Sequence, residues 1–231
     1  MDKSFSIRKL LTTEDFEQAI NVQKKVWLFE DRDILPTHFM IAYRDFGEQW
    51  GAFIDNKLIA IALSYPTNCC ENYVLHMLGT LPEYQHLGIG GDLLRLLMSK
   101  LKDKNAKSLQ WTYDPFDFVN SHLYLNKIKA EGIKVLFNYY GMLHSERHGI
   151  LPTHRLLCEL NFIDNNNFYS EEKLLPIPMN ERAIRQLDLR EAIPILDEWF
   201  KQLSNMTSNN WIITGFLLSE DKLTGSFILK K

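Results

Sequence analysis

One segment constrains this chain more than any other: a strand-like run that ends in a glycine-rich turn and leads at once into an apolar helix. Residues 76–91 read HMLGTLPEYQHLGIGG, and the apolar positions after them recur at helical spacing. Glycine permits positive φ and close backbone approach, so successive N–H groups at a helix start can converge on an anion. The segment predicts a phosphate-binding turn; a plain glycine turn is the competing interpretation.

Two better-known glycine motifs do not fit this segment. A P-loop ends in Gly-Lys-Ser/Thr, whereas Gly90 is followed by Gly91 and Asp92. A dinucleotide fingerprint needs a third glycine three positions after Gly90, where Leu93 stands. The pattern therefore argues against both of these nucleotide-binding classes.

The flanking sequence predicts an α/β chain (α+β in stricter terms). Strands are expected at 5–10, 50–54, 58–63, 73–80, 108–113, 135–140 and 156–162, and helices starting within 12–15, near Pro36, and at 92–101 and 120–130. The polar run 164–167 predicts a boundary between a domain at 1–163 and a small C-terminal β-α-β extension at 164–231, packed on the core. In the extension we expect a strand at 173–177, a helix at 181–203 and hairpin strands at 211–218 and 225–229.

Gln85, Gly88 and Gly90, with Pro82 before them and the apolar helix after them, resemble the acyl-CoA motif of the GCN5-related N-acetyltransferase (GNAT) superfamily. The order of expected elements is also similar to a GNAT core. Further blocks resemble the little-characterised "predicted GNAT superfamily acetyltransferase" subgroup, namely 76–79, 111–115, 120–123, 138–141, 176–178 and 214–216. This resemblance spans nearly the whole chain. It implies a mixed, mostly antiparallel sheet, splayed at the motif strand and flanked by helices.

The resemblance also implies a site for acetyl-CoA or another acyl-CoA. Backbone groups at the end of the motif strand would bind the pantetheine arm and thioester carbonyl, and the glycine turn would hold the pyrophosphate. Asn120 would line the pantetheine arm, and Thr80 stands where the family usually has an aliphatic residue. The expected contacts are Leu78, Gly79, Thr80, Gln85, His86, Leu87, Gly88, Ile89, Gly90, Gly91 and Asn120.

Two residues are predicted to move protons. His76 is the expected base, because an imidazole titrates near the operating pH and strand alternation places it on the face of Thr80. Tyr124 is the expected acid, four residues after Asn120, whereas many GNATs carry a tyrosine seven residues after, where Lys127 stands. A hydrogen-bonded core histidine and a packing tyrosine are the alternative interpretations. The other candidate donors and bases are Tyr139, Tyr140, Glu83 and Asp114.

Composition narrows the partners and the compartment. A formal net charge of -3 without a basic cluster argues against nucleic-acid binding, and no apolar run is long enough to cross a membrane. Three cysteines, two of them adjacent, suggest reduced thiols in a cytoplasmic protein. His144, His148 and His154 lie near Gly149 and Pro152, which favour a loop, so no metal is expected. A homodimer stays open.

Together these observations predict an N-acyltransferase that moves an acetyl or other short acyl group from acyl-CoA to an amine by direct attack in a ternary complex. The acceptor would be a small amine, an amino acid or a protein terminus. No cysteine lies on the motif elements to act as a covalent nucleophile. The alternative function is a non-catalytic CoA-sensing or partner-binding module, which Thr80 and the missing late tyrosine favour.

Overall fold

The computed structural model describes residues 4–68, 71–141, 151–163 and 168–231. The described residues fall into two compact units, with 4–109 in the first and 110–141, 151–163 and 168–231 in the second. Within these ranges, no helix is long and apolar enough to cross a membrane.

The first unit is built on a four-stranded antiparallel sheet with flanking helices. Its elements are β1 (Ser6–Lys9), α1 (Thr13–Trp27), a 3-10 turn (Asp31–Asp33), α2 (Thr37–Ala42), β2 (Glu48–Ile54), β3 (Lys57–Pro66), β4 (Asn72–Thr80), a 3-10 turn (Pro82–Tyr84) and α3 (Ile89–Asp103). The strands lie in the order β1-β2-β3-β4. Asp55 and Asn56 join β2 to β3 with φ of 47° and 62°, as a two-residue type I′ turn requires. The predicted hairpin is confirmed.

Helix α1 begins where the sequence predicts because its first turn caps itself. The Thr12 hydroxyl accepts a hydrogen bond from the Asp15 N–H at 3.1 Å, and the Asp15 carboxylate accepts one from the Thr12 N–H at 3.0 Å. This reciprocal capping box satisfies two N–H groups that a helix end leaves unpaired. The helix buries Phe16, Ala19 and Val22.

The second unit is also a sheet with flanking helices. Its elements are β5 (Ser108–Tyr113), whose first two residues belong to the first unit, α4 (Phe118–Ser121), a π-helical turn (His122–Lys127), β6 (Glu131–Leu136), β7 (Arg155–Asn161), β8 (Glu172–Ile177), α5 (Glu181–Ile184), α6 (Leu189–Ser208), β9 (Ile212–Leu218) and β10 (Gly225–Lys230). The strands lie in the order β5-β7-β6-β9-β10-β8. Phe116, Trp199 and Phe200 pack ring against ring in its core. The predicted α/β class, with mostly antiparallel strands and flanking helices, is confirmed.

Two predicted elements differ in detail from the structure. The helix expected at 120–130 starts earlier, at Phe118, and becomes π-helical at His122. The strand expected at 135–140 lies earlier, as β6, and its last four residues form a turn instead. In that turn the Asn138 N–H donates to His154 Nδ1 at 3.0 Å and the Tyr139 N–H to the Thr153 carbonyl at 3.0 Å. These bonds outweigh the strand propensity of the aromatic run.

The chain on either side of the predicted boundary at 164 contributes to one sheet. Gly132 of β6 lies opposite Ile213 of β9, and β9 continues through β10 to β8. The division into a domain at 1–163 and an extension at 164–231 stays a prediction. Within the extension, the expected single helix is two helices, each with its own capping side chain, Asn180 and Asp188.

Candidate functional site

The motif strand β4 presents one face to the core and leaves the other more open. Tyr73, Leu75, Met77 and Gly79 are buried, whereas the residues between them are half-buried or exposed. The more open face therefore carries His76, Leu78 and Thr80. This confirms the shared face that strand alternation predicts for these three residues.

A β-bulge interrupts β4 at His76. Leu63 of β3 lies opposite Met77, and the next residue, Ser64, lies opposite Leu75. His76 is therefore the extra residue of the bulge, without a partner in the β3 register. Bulges bend a strand and re-aim a side chain, and they are over-represented beside active sites.

His76 lies outside the core, unlike the core histidine of the alternative interpretation. Its side chain is exposed, and neither ring nitrogen has a hydrogen-bond partner in the part of the chain that the structure describes. The ring lies 6.1 Å, centroid to centroid, from the ring of Tyr65. Although one side is open, the surrounding protein desolvates the ring and lowers the pKa of His76 below its ordinary value. The imidazole is therefore held in its neutral, proton-accepting form.

Gly79 allows α1 to pack closely over β4. A Cβ at this position would lie 2.5 Å from Trp27 Cη2 and 2.9 Å from Val26 Cγ1, both at the end of α1. A side chain at this position would force the side chains of Trp27 and Val26 to shift. The requirement for glycine here is set by packing, whatever backbone contacts the position makes with a ligand.

The glycine turn opens α3 with its backbone uncovered. Gly88 is the N-cap, with φ of +80°, and nothing lies within 4 Å of where its Cβ would be. His86 also has positive φ, at 64°. Gln85, His86, Leu87 and Gly88 are exposed, Leu87 by 61% of its surface. This conformation suits glycine and leaves room for a ligand against the backbone.

The start of α3 offers hydrogen-bond donors to an anion. The first intrahelical bond from this end is that of the Asp92 N–H to the Gly88 carbonyl, and the N-cap makes no side-chain bond. The N–H groups of Ile89, Gly90 and Gly91 therefore point out of the helix, at the positive end of its dipole. Because a phosphate needs such donors and an unobstructed backbone, the turn fits the pyrophosphate of an acyl-CoA.

Arg95 adds a positive charge that the sequence analysis did not assign to the site. A Cβ on Gly91 would lie 3.5 Å from Arg95 Nη1, so the guanidinium lies beside the first turn of α3. It forms an ion pair with Asp92, and both side chains are about half exposed. Arg95 could have been identified from the sequence, because it is a cationic residue one turn after the glycine residues that open the helix.

The two remaining predicted site residues lie in the second unit. Asn120 donates from its side chain to Asp117 at 2.9 Å, which leaves its carbonyl oxygen to accept from a ligand. Tyr124 is only 5% exposed and packs edge-on against Trp111 and Tyr113, with centroids 5.1 and 5.2 Å away. Burial raises the pKa of Tyr124, so its hydroxyl stays protonated. A packing role and a proton-donating role are both compatible with this position.

The other candidate bases differ in their surroundings. Glu83 lies at the surface, where a backbone hydrogen bond, opposed by slight desolvation and helped by Lys57, lowers the pKa of its carboxyl. Burial raises the pKa of Asp114 against the opposing effect of Arg155. Neither residue belongs to β4.

The histidines and cysteines form no metal site within the described ranges. His154 is buried, accepts from the Asn138 N–H and lies 2.9 Å from Asp197 Oδ1. Cys158 is buried, and burial raises the pKa of its thiol. The other members of these groups lie outside the described residues: His144, His148, Cys69 and Cys70.

The aromatic surroundings of His76 are not evident from the amino-acid sequence. Tyr65 contacts the rings of Phe39 and Tyr43 as well as that of His76. Its hydroxyl is buried without a hydrogen-bond partner among the described residues, an arrangement that costs about 1–3 kcal/mol. Tyr65 lies near the end of β3, after a mainly apolar run, so its aromatic character gave no signal of a site; the register of β3 against β4 places it beside His76.

The structure is similar to those of several acetyltransferases. The ribosomal-protein-S18-alanine N-acetyltransferase from Escherichia coli is 16% identical, covers 72% of this chain and 100% of its own, and has a TM-score of 0.56. The PaiA N-acetyltransferase from Thermoplasma acidophilum, solved in complex with coenzyme A, is 21% identical over 69% of this chain and 99% of its own, with a TM-score of 0.52. Ard1 from Thermoplasma volcanium is 11% identical over 69% and 99%, with a TM-score of 0.55. These likenesses concern the fold.

The sequence itself matches a family model. This family model represents the acetyltransferase (GNAT) family, and it matches residues 9–126, just over half of the chain. The matched span contains His76, the glycine turn, Asn120 and Tyr124. A comparison with curated proteins gave no match. The extent of the family match and the shared fold establish that this chain belongs to the GNAT acetyltransferase family.

Proposed function

We propose that this protein transfers an acetyl or other short acyl group from acyl-CoA to an amine, with His76 as the general base. The observation that carries the proposal is that one face of β4 holds an exposed, neutral imidazole, and the same strand leads into an open glycine turn. Thr80 follows His76 by four residue steps along the strand, a span of about 13 Å. That separation suits an extended ligand with its phosphates at one end and its reacting group at the other.

The proposed roles follow from this layout. Bound acyl-CoA supplies the activated acyl group, and transfer leaves an amide and the CoA thiol. His76 accepts the proton that the amine nitrogen loses as its bond to the acyl carbon forms. The N–H groups at the start of α3 and the Arg95 guanidinium hold the phosphates. Leu78, Gly79 and Thr80 contact the pantetheine arm through their backbone.

Two predicted roles belong to residues of the second unit. Asn120 stays the predicted contact of the pantetheine arm. Tyr124 stays the predicted donor to the departing thiol sulfur. Its raised pKa makes it a weaker acid than a free tyrosine but keeps the proton available. Tyr124→Phe tests the role, because this change keeps the ring packing and removes only the hydroxyl.

The first experiment measures CoA thiol release by the purified protein with acetyl-CoA or succinyl-CoA and separate pools of amines and amino acids. We expect release that depends on one pool. His76→Gln should lower kcat/KM by about 10²-fold or more, as loss of a general base does, with the affinity for CoA, measured by calorimetry, unchanged. Val74→Ala, an exposed position on the same strand, is the matched control and should retain activity.

Other outcomes would change the proposal in defined ways. Full activity in His76→Gln would remove His76 from the mechanism. Tight CoA binding without turnover on any pool would favour the non-catalytic CoA-binding function. Absence of CoA binding would refute the phosphate role of the glycine turn.

A further inference from the structure

Three aromatic side chains form a continuous surface in the first unit, here called the aromatic wall: Phe39, Tyr43 and Tyr65. The rings of Phe39 and Tyr43 stack with centroids 4.6 Å apart and an interplanar angle of 26°. Tyr65 meets both of them edge-on, at 5.6 and 5.4 Å. These are the offset and T-shaped geometries that aromatic rings prefer, so the wall is ordered by its own contacts.

The aromatic wall is not sealed inside the core. Phe39 and Tyr65 are half-buried, and Tyr43 is 38% exposed. The ring of Tyr65 approaches that of His76, and β3 places Tyr65 immediately after the residue opposite the bulge. The wall therefore adjoins the imidazole that accepts the proton in the proposed function. A group attached to the reacting amine would extend over these rings.

The charged residues that follow Tyr43 in the chain form ion pairs within the protein. Asp45 pairs with Arg44 at 3.4 Å, and the buried Glu48 pairs with Lys9 and Lys104. Among the described residues, no ion pair involves a member of the wall or His76. Within the described ranges, the wall thus offers neither a carboxylate for the second ammonium of a polyamine nor a cation for the carboxylate of an amino acid. Aromatic faces do attract flat apolar groups and a single ammonium.

Tyr65 also contributes a hydroxyl group to the wall. It is buried and lacks a hydrogen-bond partner in the described part of the chain, and desolvation keeps it protonated by raising its pKa. A phenylalanine would make the same ring contacts without leaving a polar group unpaired. The hydroxyl is accounted for if it gains a partner when the site is occupied.

We propose that the aromatic wall is the acceptor-binding surface, and that the acceptor is a primary amine bearing an aromatic or similarly flat apolar group. This inference rests on the proposed function and assigns its substrate class. The acceptor's ring packs against Phe39 and Tyr43, its nitrogen lies beside His76, and the Tyr65 hydroxyl bonds the acceptor.

Four probe amines test the substrate class by their kcat/KM values with acetyl-CoA: 2-phenylethylamine, its saturated counterpart 2-cyclohexylethylamine, spermidine and glycine. We expect 2-phenylethylamine to exceed the saturated amine about tenfold and the two polar amines by a wider margin. Equal or better use of spermidine or glycine would overturn the inference while leaving the proposed function intact.

Variants of the wall test its members. Tyr43→Leu and Phe39→Leu should each remove most of the preference for 2-phenylethylamine over 2-cyclohexylethylamine. Phe46→Leu, 67% exposed and outside the wall, should leave it unchanged. Tyr65→Phe should lower kcat/KM for 2-phenylethylamine several-fold without lowering the melting temperature, a combination that a purely structural hydroxyl would not produce. An unchanged preference in the Leu variants would refute the wall as a subsite.

Binding separates the two proposals when turnover is absent. Calorimetric titration of the protein–CoA complex with 2-phenylethylamine reports the subsite without chemistry. Binding that weakens in Tyr43→Leu, with no acylation of any amine, would support the wall and refute catalysis. Failure to bind 2-phenylethylamine would refute the inference.

Discussion

The proposed role of His76 depends on two of its properties. The residue lies at an exposed position on a β-bulge, and the surrounding protein desolvates its ring. The bulge takes the residue out of register with β3, so the side chain is not committed to a cross-strand pair. Desolvation disfavours the imidazolium, so the ring stays neutral to lower pH than a free histidine. The residue is thus available to accept a proton over the physiological range.

The pH dependence of the reaction follows from that lowered pKa. A base works in its neutral form, so kcat/KM should fall on acidification through an apparent pKa below 6.5, the ordinary value for histidine. Measurement of kcat/KM from pH 5 to 9 reports this acid limb, the fall on acidification. In His76→Gln, kcat/KM should be lower and should no longer show the acid limb. The same acid limb in the variant would assign it to another group.

At position 79, the close packing of Trp27 and Val26 restricts which residue can be accommodated. We expect Gly79→Ala to lower the free energy of unfolding by about 1–3 kcal/mol, because the new methyl group overlaps Trp27 and Val26. Urea unfolding measures the change. Gly91→Ala, whose Cβ would meet Arg95 Nη1 at an ordinary 3.5 Å, is the control and should be close to neutral. Equal stability of the two variants would contradict the packing argument.

Single elements are held at their ends and junctions by polar side chains. In α1, the buried Asp15 bonds Arg8 as well as the capping N–H groups. In the second unit, Asn126 bridges the π-helical turn and β9, donating to the Phe216 carbonyl at 2.7 Å and accepting from its N–H at 2.9 Å. The Asn126 side chain thus makes the two hydrogen bonds that a neighbouring strand would otherwise make with Phe216. In both cases a polar side chain satisfies backbone groups that have no backbone partner.

Stability should depend on pH through Asp15. Burial opposes its ionisation, but hydrogen bonds from Arg8 and from the N–H groups of Leu11 and Thr12 outweigh that effect and lower its pKa. Because the folded pKa is lower than the unfolded one, the stabilisation is present above about pH 4 and is lost as pH falls further. Asp15→Asn should cost about 1 kcal/mol at pH 7.

Urea unfolding at pH 7 and at pH 3 checks this prediction for α1. The difference between wild type and Asp15→Asn should shrink at the lower pH, where Asp15 of the unfolded chain binds a proton that the folded chain does not. Glu14→Gln, exposed in the same turn, is the control. A difference that stays constant between the two pH values would refute the linkage.

Asn126→Ala should destabilise the second unit by about 2 kcal/mol, because it removes two hydrogen bonds and leaves the Phe216 backbone groups unpaired. Hydrogen exchange at the Phe216 amide reports the local effect and urea unfolding the global one. Asn209→Ala, at an exposed amide whose side chain bonds Asn205, should cost no more than about 0.5 kcal/mol. Unchanged protection of the Phe216 amide would show that another group replaces Asn126.

At the scale of the whole molecule, the C-terminal residues complete a sheet. In the second unit β9 follows β6 in strand order, and β10 and β8 continue beyond it. Core rings of the same unit come from both sides of residue 164, since Phe116 packs on Trp199 and Phe200. The 164–231 segment therefore supplies part of the core of this unit.

A chain truncated after residue 163 should fail to fold its second unit. Loss of α6 exposes Phe116, and loss of β9 leaves the edge of β6 uncovered. Limited proteolysis with mass spectrometry should find cleavage within 110–141 in the truncated chain but not in the full chain. Resistance of that segment in the truncated chain would show that residues 1–163 fold independently.

The sequence by itself determined the elements whose signals are local. The Thr12–Asp15 capping box, the Asp55–Asn56 turn and the glycine start of α3 each depend on a few adjacent residues. Strand alternation also placed His76 and Thr80 on one face of β4. The family resemblance came from the same kind of short-range pattern, and the family match confirms it.

Only the tertiary structure decided the features that depend on register and packing. The bulge at His76 exists in the pairing of β3 with β4, and the aromatic wall exists because α2 brings Phe39 and Tyr43 against Tyr65. The turn at 137–140 replaced a predicted strand because Thr153 and His154, distant in sequence, bond its backbone. These contacts join residues far apart in the chain, and their energies appear only when the chain has folded.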